Sequence, residues 1–468
     1  MNTRTVDVAV IGAGSAGLVA FREAKKWTDN VVLIEGGPYG TTCARVGCMP
    51  SKLLIAAAEA AHAAHEAPAF GVNVSSVEID GVAVMDRVRR ERDRFVGFVI
   101  EGVDAIPEEQ RIRGFARFID DHHVQVDDHT MVYAKRFVIA TGSSPGYPKV
   151  WDELADRLVV NDDIFDWTDL PKSVAVFGPG VIGLELGQAL SRLGVQVSMF
   201  GLGGQVGPLT DPEVMASARD AFASEFYLNA DVDVRVMRRV EDGVFIEFVD
   251  HDGRVRDKVV DYVIAATGRT PNVAWLALEN TTLPLDAKGV PLFDDKTMQI
   301  GRSHVFIAGD VNNDRPLLHE ASDEGCIAGG NAGRYPDVQP GHRSSPLAVV
   351  FSDPQIAMVG SSYRELANQD IVIGEVSFED QGRSRVMLKN KGILRIYADA
   401  DTGCFLGAEM FGPRAEHLGH LLAWAHQTGM SITQMLEMPF YHPVVEEGLR
   451  TALRDADAAL RQRTQLAA

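Results

Sequence analysis

Short apolar runs rich in β-branched residues recur along the first part of the chain, a pattern typical of buried parallel strands. Residues 6–11 form one such run, which leads into a glycine-rich turn and a helical pattern over 18–27. Residues 174–177 form another, followed in the same way by a helical pattern over 184–192. Because a strand, a tight turn and a helix open a βαβ unit, two such units are predicted in tandem.

The first turn carries Gly12, Gly14 and Gly17 in the spacing of a dinucleotide-binding loop. The first two glycines allow a tight turn and close approach of a pyrophosphate, and the third allows the helix to pack closely. The positive N-terminus of that helix also favours an anion. The next predicted strand, 31–34, ends at Glu35, where the acid that binds a ribose belongs. The pattern therefore predicts a dinucleotide-binding unit.

The same spacing recurs at Gly178, Gly180 and Gly183. Each glycine motif is followed, much later, by an apolar strand that ends in Ala-Thr-Gly, at Gly142 and at Gly268. The chain thus contains a diverged internal repeat. A molecule that binds two dinucleotides is most simply an electron conduit between them.

The second unit departs from the first where the acid should stand. The position equivalent to Glu35 is occupied by Gly201, so the usual hydrogen bond to the ribose of NAD is missing. NADP would require arginines near its 2′-phosphate, and residues 200–205 contain none. The sequence favours NAD because nothing in this segment neutralises the additional phosphate.

The character of the chain changes from about residue 341, where antiparallel strands and helices are predicted. Before that point, residues 305–310 form one more apolar strand, whose terminal Asp310 would meet a ligand at the edge of a sheet. The predicted strands of the last part are 347–351, 371–378 and 392–397, and the predicted helices are 416–428 and 446–460. This part is expected to be a separate α+β domain.

Composition narrows the functional classes. The 468 residues suggest about three domains, and 46% hydrophobic with 24% charged residues is ordinary for a soluble globular protein. With 45 Lys and Arg against 65 Asp and Glu, the formal charge of −20 disfavours nucleic acid and anionic membrane surfaces as partners. No secretory signal pattern or apolar run of membrane-spanning length is present, so a cytoplasmic location is expected.

Two of the four cysteines, Cys43 and Cys48, are spaced closely at the start of a predicted helix. A zinc site would require two further ligands nearby, whereas Cys326 and Cys404 stand alone and are expected to be buried thiols. A structural disulfide is disfavoured in a reducing compartment. A redox-active pair is therefore the preferred interpretation, since the positive end of a helix also stabilises a thiolate.

Taken together, these features resemble the FAD-dependent pyridine nucleotide-disulfide oxidoreductases, over nearly the whole chain. Residues 47–52 are most similar to the corresponding segment of the dihydrolipoamide dehydrogenases within that family. The motifs that carry the resemblance are the two nucleotide-binding units, the CxxxxC segment at 43–48, the two Ala-Thr-Gly strands, Ala308-Gly309-Asp310 and His442-Pro443.

The resemblance implies an α/β fold with two tandem Rossmann-like domains and a C-terminal α+β dimerisation domain. It implies a discontinuous FAD-binding domain over 1–150 and 270–338 and an NAD(P)-binding domain over 151–269. Residues 341–468 would form the interface of a homodimer.

The resemblance also implies roles for particular residues. Cys48 would be the charge-transfer thiolate beside the flavin, and Cys43 would exchange with the substrate. His442 would be the base, oriented by Glu447 and completing the site of the other subunit; here Val444 replaces the usual Thr. The implied cofactor-binding residues are Gly12, Gly14, Gly17, Glu35, Gly142 and Asp310 for FAD, Gly178, Gly180, Gly183 and Gly268 in the second unit, and a Lys52–Glu185 pair beside the flavin.

The sequence leaves an alternative open for one residue pair. Lys52 and Glu185 would be ordinary charges on helix surfaces if the resemblance did not extend to them. Arg45 stands where an uncharged polar residue is usual, and it is expected to bias what approaches Cys43.

The implied reaction is oxidation of dihydrolipoamide through Cys43, Cys48 and FAD to NAD, with a lipoyl-bearing 2-oxo acid dehydrogenase complex as a possible partner. The alternatives are an NADP-dependent reductase similar to glutathione reductase and a flavin redox sensor that does not turn over.

Overall fold

The computed structural model describes residues 1–467, so Ala468, the last residue of the predicted domain 341–468, lies outside the described residues. The strands are β1 (Asn2–Ile11), β2 (Val31–Glu35), β3 (Arg111–Arg113), β4 (Ala116–Phe118), β5 (His123–Val126), β6 (Thr130–Ile139), β7 (Ser143–Pro145), β8 (Leu158–Val160), β9 (Ser173–Phe177), β10 (Gln196–Phe200), β11 (Tyr227–Asn229), β12 (Asp233–Val240), β13 (Gly243–Val249), β14 (Val255–Val260), β15 (Tyr262–Ala265), β16 (Arg269–Pro271), β17 (Val305–Ile307), β18 (Leu347–Val350), β19 (Gln355–Gly360), β20 (Ile371–Ser377), β21 (Ile393–Asp399) and β22 (Phe405–Gly412).

The helices are α1 (Ser15–Ala24), α2 (Thr42–Val46), α3 (Cys48–Glu66), α4 (Gly81–Asp104), α5 (Asn161–Ile164), α6 (Val181–Arg192), α7 (Pro212–Ala223), α8 (Leu318–Arg334), α9 (Gly382–Val386), α10 (Ala415–Gln427), α11 (Ile432–Leu436) and α12 (Glu446–Ala467). Within the described part of the chain, no helix combines the length and the apolar character needed to cross a bilayer.

The chain divides into two compact units. Unit one consists of Met1–Pro50, Arg87–Gly146 and Gly268–Ser344. Unit two consists of Ser51–Asp86, Tyr147–Thr267 and the chain from Ser345. The three-domain division stays a prediction.

Unit one is built on a sheet in the order β3-β2-β1-β6-β5-β4, with β17 also paired to β6. The β3, β2, β1, β6 and β17 pairings are parallel, and β5 and β4 continue the sheet antiparallel. Side chains of β1 are buried on both faces: Val8 and Val10 pack with Phe21 of α1, whereas Ala9 and Ile11 pack with Phe137. This two-sided burial explains why residues 8–11 of β1 are all apolar instead of alternating with polar residues.

Unit two contains three sheets. A parallel sheet has the order β11-β10-β9-β15-β8, and the antiparallel sheet β12-β13-β14 shares a core with it, in which Phe200 meets Phe248. The third sheet, β18-β19-β22-β21-β20, is antiparallel and packs against α10 and α12. This architecture confirms the predicted fold class.

Several predicted boundaries were wrong. The strands expected to run through the Ala-Thr-Gly segments end earlier, β6 at Ile139 and β15 at Ala265. The strand predicted over 305–310 ends at Ile307, because Gly309 turns the chain with φ +80° into a short 3₁₀ helix, Asp310–Asn312. In each case the residues that follow the strand lie in a loop or a short 3₁₀ helix.

Candidate active site

The glycine loop between β1 and α1 uses each of its three glycines for a different physical reason. Gly12 has φ +110°, and a Cβ there would overlap the carbonyl oxygen of Ala140. A Cβ on Gly17 would overlap the carbonyl oxygen of Gly12, so α1 packs directly on the turn. Gly14 has nothing within 4 Å of its Cβ position. Gly14 therefore faces open space at the N-terminus of α1, as a loop that receives a phosphate requires.

A cleft opens beside this loop, within unit one. Its lining includes Gly14, Glu35, Arg45, Phe115 and Trp275. The carboxylate of Glu35 accepts the N–H of Ala13 and the N–H of Gly37, both at 2.7 Å, so it is fixed at the end of β2.

This cleft fits the adenosine and diphosphate half of FAD. An open glycine position at a helix N-terminus suits a diphosphate, and a fixed carboxylate suits a ribose. Arg45 lines the same cleft, with its aliphatic part against Gly40. The structure thus places Arg45 in the nucleotide cleft, a position that the sequence did not suggest.

Asp310 belongs to a polar cluster with Ser143 and Arg269. These two residues directly follow the glycines of the two Ala-Thr-Gly segments. The hydroxyl of Ser143 donates to Asp310 at 2.8 Å, and Arg269 donates to the hydroxyl and to the carbonyl oxygen of Ser143, both at 2.7 Å. Ser143 and Arg269 begin β7 and β16, which pair antiparallel directly after Gly142 (φ +68°) and Gly268 (φ +123°). Sequence reasoning missed Ser143 and Arg269, because only the strand pairing brings them to Asp310.

A buried carboxylate holds the turn that presents Asp310. Glu324 of α8 is fully buried and accepts the N–H of Gly309 and the side-chain amide of Asn312, both at 2.7 Å. Burial raises the pKa of Glu324 to about 7, although the N–H of Gly309 and the positive charge of Arg343 oppose that shift. Arg343 also contacts Glu324 at 2.9 Å. No sequence signal singled out Glu324.

The two closely spaced cysteines flank a tight turn in unit one. Cys43 lies in α2, and Cys48 is the first residue of α3. A Cβ on Gly47 would lie 3.1 Å from the Cα of Cys43, so the chain folds back closely on Cys43 just before Cys48. Thr41 precedes α2 with φ 59° and caps it by accepting the N–H of Ala44 at 3.3 Å.

The other two cysteines do not match their predicted environment. Cys326 is exposed and Cys404 is partly exposed, so the expectation that both are buried thiols was wrong. Cys326 lies on the solvent side of α8, where the helical pattern alone did not indicate its orientation. Among the described residues, no three His, Cys, Asp or Glu side chains converge as a metal ion would require.

Lys52 and Glu185 meet inside unit two. The ammonium of Lys52 lies 2.7 Å from the carboxylate of Glu185, whose side chain is only 5% exposed. The other oxygen of Glu185 accepts the N–H of Phe351 at 3.0 Å, and the Lys52 ammonium lies 4.6 Å from the centre of the Phe351 ring. Glu185 is therefore a buried partner of Lys52, and the alternative of two independent surface charges was wrong.

The second glycine loop repeats the geometry of the first. Gly178 has φ +104°, and a Cβ there would overlap the carbonyl oxygen of Ala266; a Cβ on Gly183 would overlap Gly178. Gly180, like Gly14, has nothing within 4 Å of its Cβ position. The loop at the start of α6 thus fits the diphosphate of a second dinucleotide.

His442 and Glu447 form a pair at the surface of unit two. The ring Nδ1 of His442 lies 3.0 Å from one carboxylate oxygen of Glu447 and 3.1 Å from the other. The hydrogen bond with His442 and the N–H of Val444 lower the pKa of Glu447. The His442 side chain is 80% exposed. With Nδ1 directed at the carboxylate, Nε2 is the ring nitrogen that can accept a proton from a reactant.

Helix α12 begins at Glu446, and Pro443 is joined to His442 by a cis peptide bond before that helix. Glu447 is therefore in the first turn of α12, whereas His442 precedes the helix.

Comparison with known proteins finds two matching family profiles and similar proteins over nearly the whole chain. Residues 6–325 match the profile "Pyridine nucleotide-disulphide oxidoreductase", and residues 347–453 match the dimerisation domain of the same family, which supports a homodimer. Dihydrolipoyl dehydrogenase 2 of Haloarcula marismortui is 29% identical over 98% of this chain and 97% of its own length. Mercuric reductase of Shigella flexneri is 29% identical over 98% of this chain and 82% of its own length.

A solved structure of the HOCl-induced flavoprotein disulfide reductase RclA of Escherichia coli matches with a TM-score of 0.80 and 20% identity, over 97% of this chain and 99% of that chain. This match shows the shared fold. The two glycine loops that fit dinucleotides and the profile match over most of the chain lead to one conclusion: the chain belongs to the pyridine nucleotide-disulphide oxidoreductase family, flavin-dependent enzymes related to the dihydrolipoyl dehydrogenases that act on sulfur groups with a pyridine nucleotide.

Proposed function

We propose that the chain oxidises dihydrolipoamide and reduces NAD, with Cys43 and Cys48 as the redox-active pair. The observation that carries the proposal is the turn at Gly47. It folds the backbone of Cys43 back beside the start of α3, where Cys48 lies. The similarity to dihydrolipoyl dehydrogenases over nearly the full length supports this choice of thiol substrate. Mercuric reductase at the same identity indicates that similarity alone does not select it.

The thiol exchange begins from a disulfide between Cys43 and Cys48. A substrate thiolate attacks the sulfur of Cys43, which forms a mixed disulfide and releases Cys48 as a thiolate. The second thiol of the substrate then attacks the substrate sulfur that is bonded to Cys43. This attack closes the substrate disulfide and releases Cys43. In total, the substrate dithiol loses two electrons and two protons to become a disulfide, and the protein disulfide is reduced.

The attacking thiol must lose a proton, and the paired histidine is suited to accept it. Glu447 holds the ring of His442 through Nδ1, which directs Nε2 outward. The exposure of His442 fits a role in the site of the other subunit, so the partner subunit's His442 would take the proton of the bound dithiol.

The cofactors would be held by the two glycine loops. Gly12, Gly14, Gly17, Glu35, Gly142 and Asp310 would hold FAD, with the Lys52–Glu185 pair beside it, and Gly178, Gly180, Gly183 and Gly268 would serve the nicotinamide nucleotide. Bound FAD and nucleotide supply the two-electron acceptor chemistry that restores the disulfide. The contribution of the chain is to position these groups and the base.

A steady-state assay tests the substrate. Purified FAD-loaded enzyme is supplied with NAD and dihydrolipoamide, and in parallel with NADPH and glutathione disulfide. Continuous NADH formation from dihydrolipoamide is expected. A single stoichiometric oxidation would show a sensor, and a higher kcat/KM with NADPH and glutathione disulfide would show a reductase; either result overturns the proposal.

The cysteine assignment has its own test. Cys48→Ser is expected to abolish thiol turnover while FAD stays bound, because the disulfide can no longer form. Cys404→Ser is the matched control, since Cys404 is partly exposed and lies in the β21–β22 region of unit two. Full dihydrolipoamide turnover in Cys48→Ser would contradict the assignment.

A further inference from the structure

Gly201, where the ribose-binding acid of the second loop is missing, has no room for any side chain. A Cβ there would lie 2.6 Å from the carbonyl oxygen of Ala230 and 2.8 Å from Cγ of Pro179 in the glycine loop. The N–H of Gly201 donates to the carbonyl oxygen of Asn229 at 2.7 Å. The segment that follows β11 therefore packs directly against the end of β10.

This packing brings another carboxylate to the same edge of the sheet. β11 pairs parallel with β10, with Asn229 opposite Phe200, so Asp231 and Gly201 both follow the carboxyl ends of adjacent strands. Asp231 accepts the N–H of Gly203 at 2.8 Å, and its own N–H donates to the side chain of Asn229 at 3.2 Å. Asp231 is thus tied to the loop after β10 from the neighbouring strand.

The Asp231 carboxylate retains capacity for a ligand. Its residue is exposed, and the bond to Gly203 engages only Oδ1. An ionised carboxylate offers about four acceptor positions on its two oxygens, so ribose hydroxyls can still donate to it.

The loop itself is poorly suited to a phosphate. The N–H of Gly203 is used by Asp231, and the N–H of Gly204 donates to the carbonyl oxygen of Ala230 at 3.0 Å. A backbone site for a 2′-phosphate would require such N–H groups to point at the ligand. A cation does reach this segment, because Arg364 donates to the side chain of Gln205 at 3.3 Å. Arg364 is therefore the competing candidate for nucleotide selection.

We propose that Asp231 replaces the missing acid after β10 and selects NAD over NADP. Its carboxylate accepts hydrogen bonds from the hydroxyls of the adenosine ribose and repels a 2′-phosphate at the same position. The inference rests on the proposed function only in requiring that the Gly178–Gly183 loop binds a nicotinamide nucleotide, and it does not depend on the thiol substrate.

Nucleotide binding tests the proposal without thiol turnover. Dissociation constants of NADH and NADPH are measured by calorimetry on the FAD-loaded dimer of the unchanged protein and of Asp231→Asn. The amide keeps an oxygen for the N–H of Gly203 and removes the charge. We expect the unchanged protein to prefer NADH, and the substitution to lower that preference by about tenfold or more, mainly through tighter NADPH binding.

Asp233→Asn is the matched control, because Asp233 is exposed, follows closely in the chain and lies 3.7 Å from Arg235. It should leave the ratio of the two constants unchanged. An unchanged ratio in Asp231→Asn, or an equal change in Asp233→Asn, would overturn the proposal. So would a preference for NADPH that Arg364→Met removes. A protein that passes this test but does not oxidise dihydrolipoamide would refute the proposed thiol substrate alone.

Discussion

Two glutamates show how surroundings set the chemistry of a single residue. Glu324 is buried, and the loss of water raises its pKa to about 7. Glu447 is accessible to water, and the hydrogen bond with His442 lowers its pKa. Burial therefore makes Glu324 harder to ionise beneath the Asp310 turn, whereas the contact with His442 makes Glu447 easier to ionise.

The raised pKa of Glu324 predicts a pH dependence of stability. Between about pH 4.5 and pH 7 the folded protein retains a proton that the unfolded chain has lost, so stability falls as pH rises through this window. The shift corresponds to roughly 3 kcal/mol at most. In Glu324→Gln this slope should be absent, so the difference in free energy of unfolding between the two proteins should change with pH. Denaturant titrations from pH 5 to pH 8 measure it, and parallel stability curves would contradict the assignment.

At the scale of elements, each glycine loop joins the end of a strand to a helix, and ion pairs hold the far end of one such helix. Arg192 at the end of α6 is an example within unit two. Its guanidinium contacts Glu225 and Asp353, both at 2.9 Å, and its side chain is only 7% exposed. Burial opposes ionisation of Asp353, but Lys389 and Arg192 more than offset it, so the pKa of Asp353 is lowered. The charges of this cluster therefore depend on one another.

Removing Arg192 should destabilise unit two strongly. Arg192→Met would leave Glu225 without this cation and Asp353 with Lys389 alone, so the loss should be about 3 kcal/mol, at the lower end of what a broken buried pair costs. Arg219→Met is the control, because Arg219 and Asp220 form an exposed pair at 3.5 Å that is worth about 1 kcal/mol or less. Urea unfolding of both variants compares them. Equal losses would show that the Arg192 cluster is not stabilising.

At the scale of the whole molecule, the match to a dimerisation domain over residues 347–453 supports a homodimer. In a twofold dimer, each subunit can complete the site of the other. The exposure of both His442 and Tyr441 is consistent with a surface that faces a partner.

Mixed dimers test whether His442 acts on the other subunit. Cys48→Ser and His442→Gln should each be inactive towards dihydrolipoamide. After denaturation and joint refolding, half of the dimers should be mixed, and each mixed dimer would contain one intact site. About a quarter of full activity should therefore return. Refolding each variant alone is the control, and no recovery in the mixture would show that His442 acts within its own subunit.

The sequence by itself determined the backbone geometry of the two glycine loops. Gly12 and Gly178 have positive φ angles, and Gly14 and Gly180 face open space, so the spacing of glycines within one turn was sufficient to predict such loops. The strands before these loops were also predictable, because burial on both faces leaves a continuous apolar run. By contrast, β19 and β22 were missed, since they lie within the C-terminal sheet and their apolar runs also fit other elements.

Only the tertiary structure decided the contacts that join distant segments. Glu324 beneath Gly309 and Asp231 beside Gly201 depend on a helix packed on a turn and on the order of parallel strands. Arg45 likewise lines one cleft with Phe115 and Trp275, which are distant from it in sequence. Glycine spacing encodes backbone angles over a few residues, whereas these pairings arise from packing between segments that are separate in sequence, where no short pattern records the neighbour.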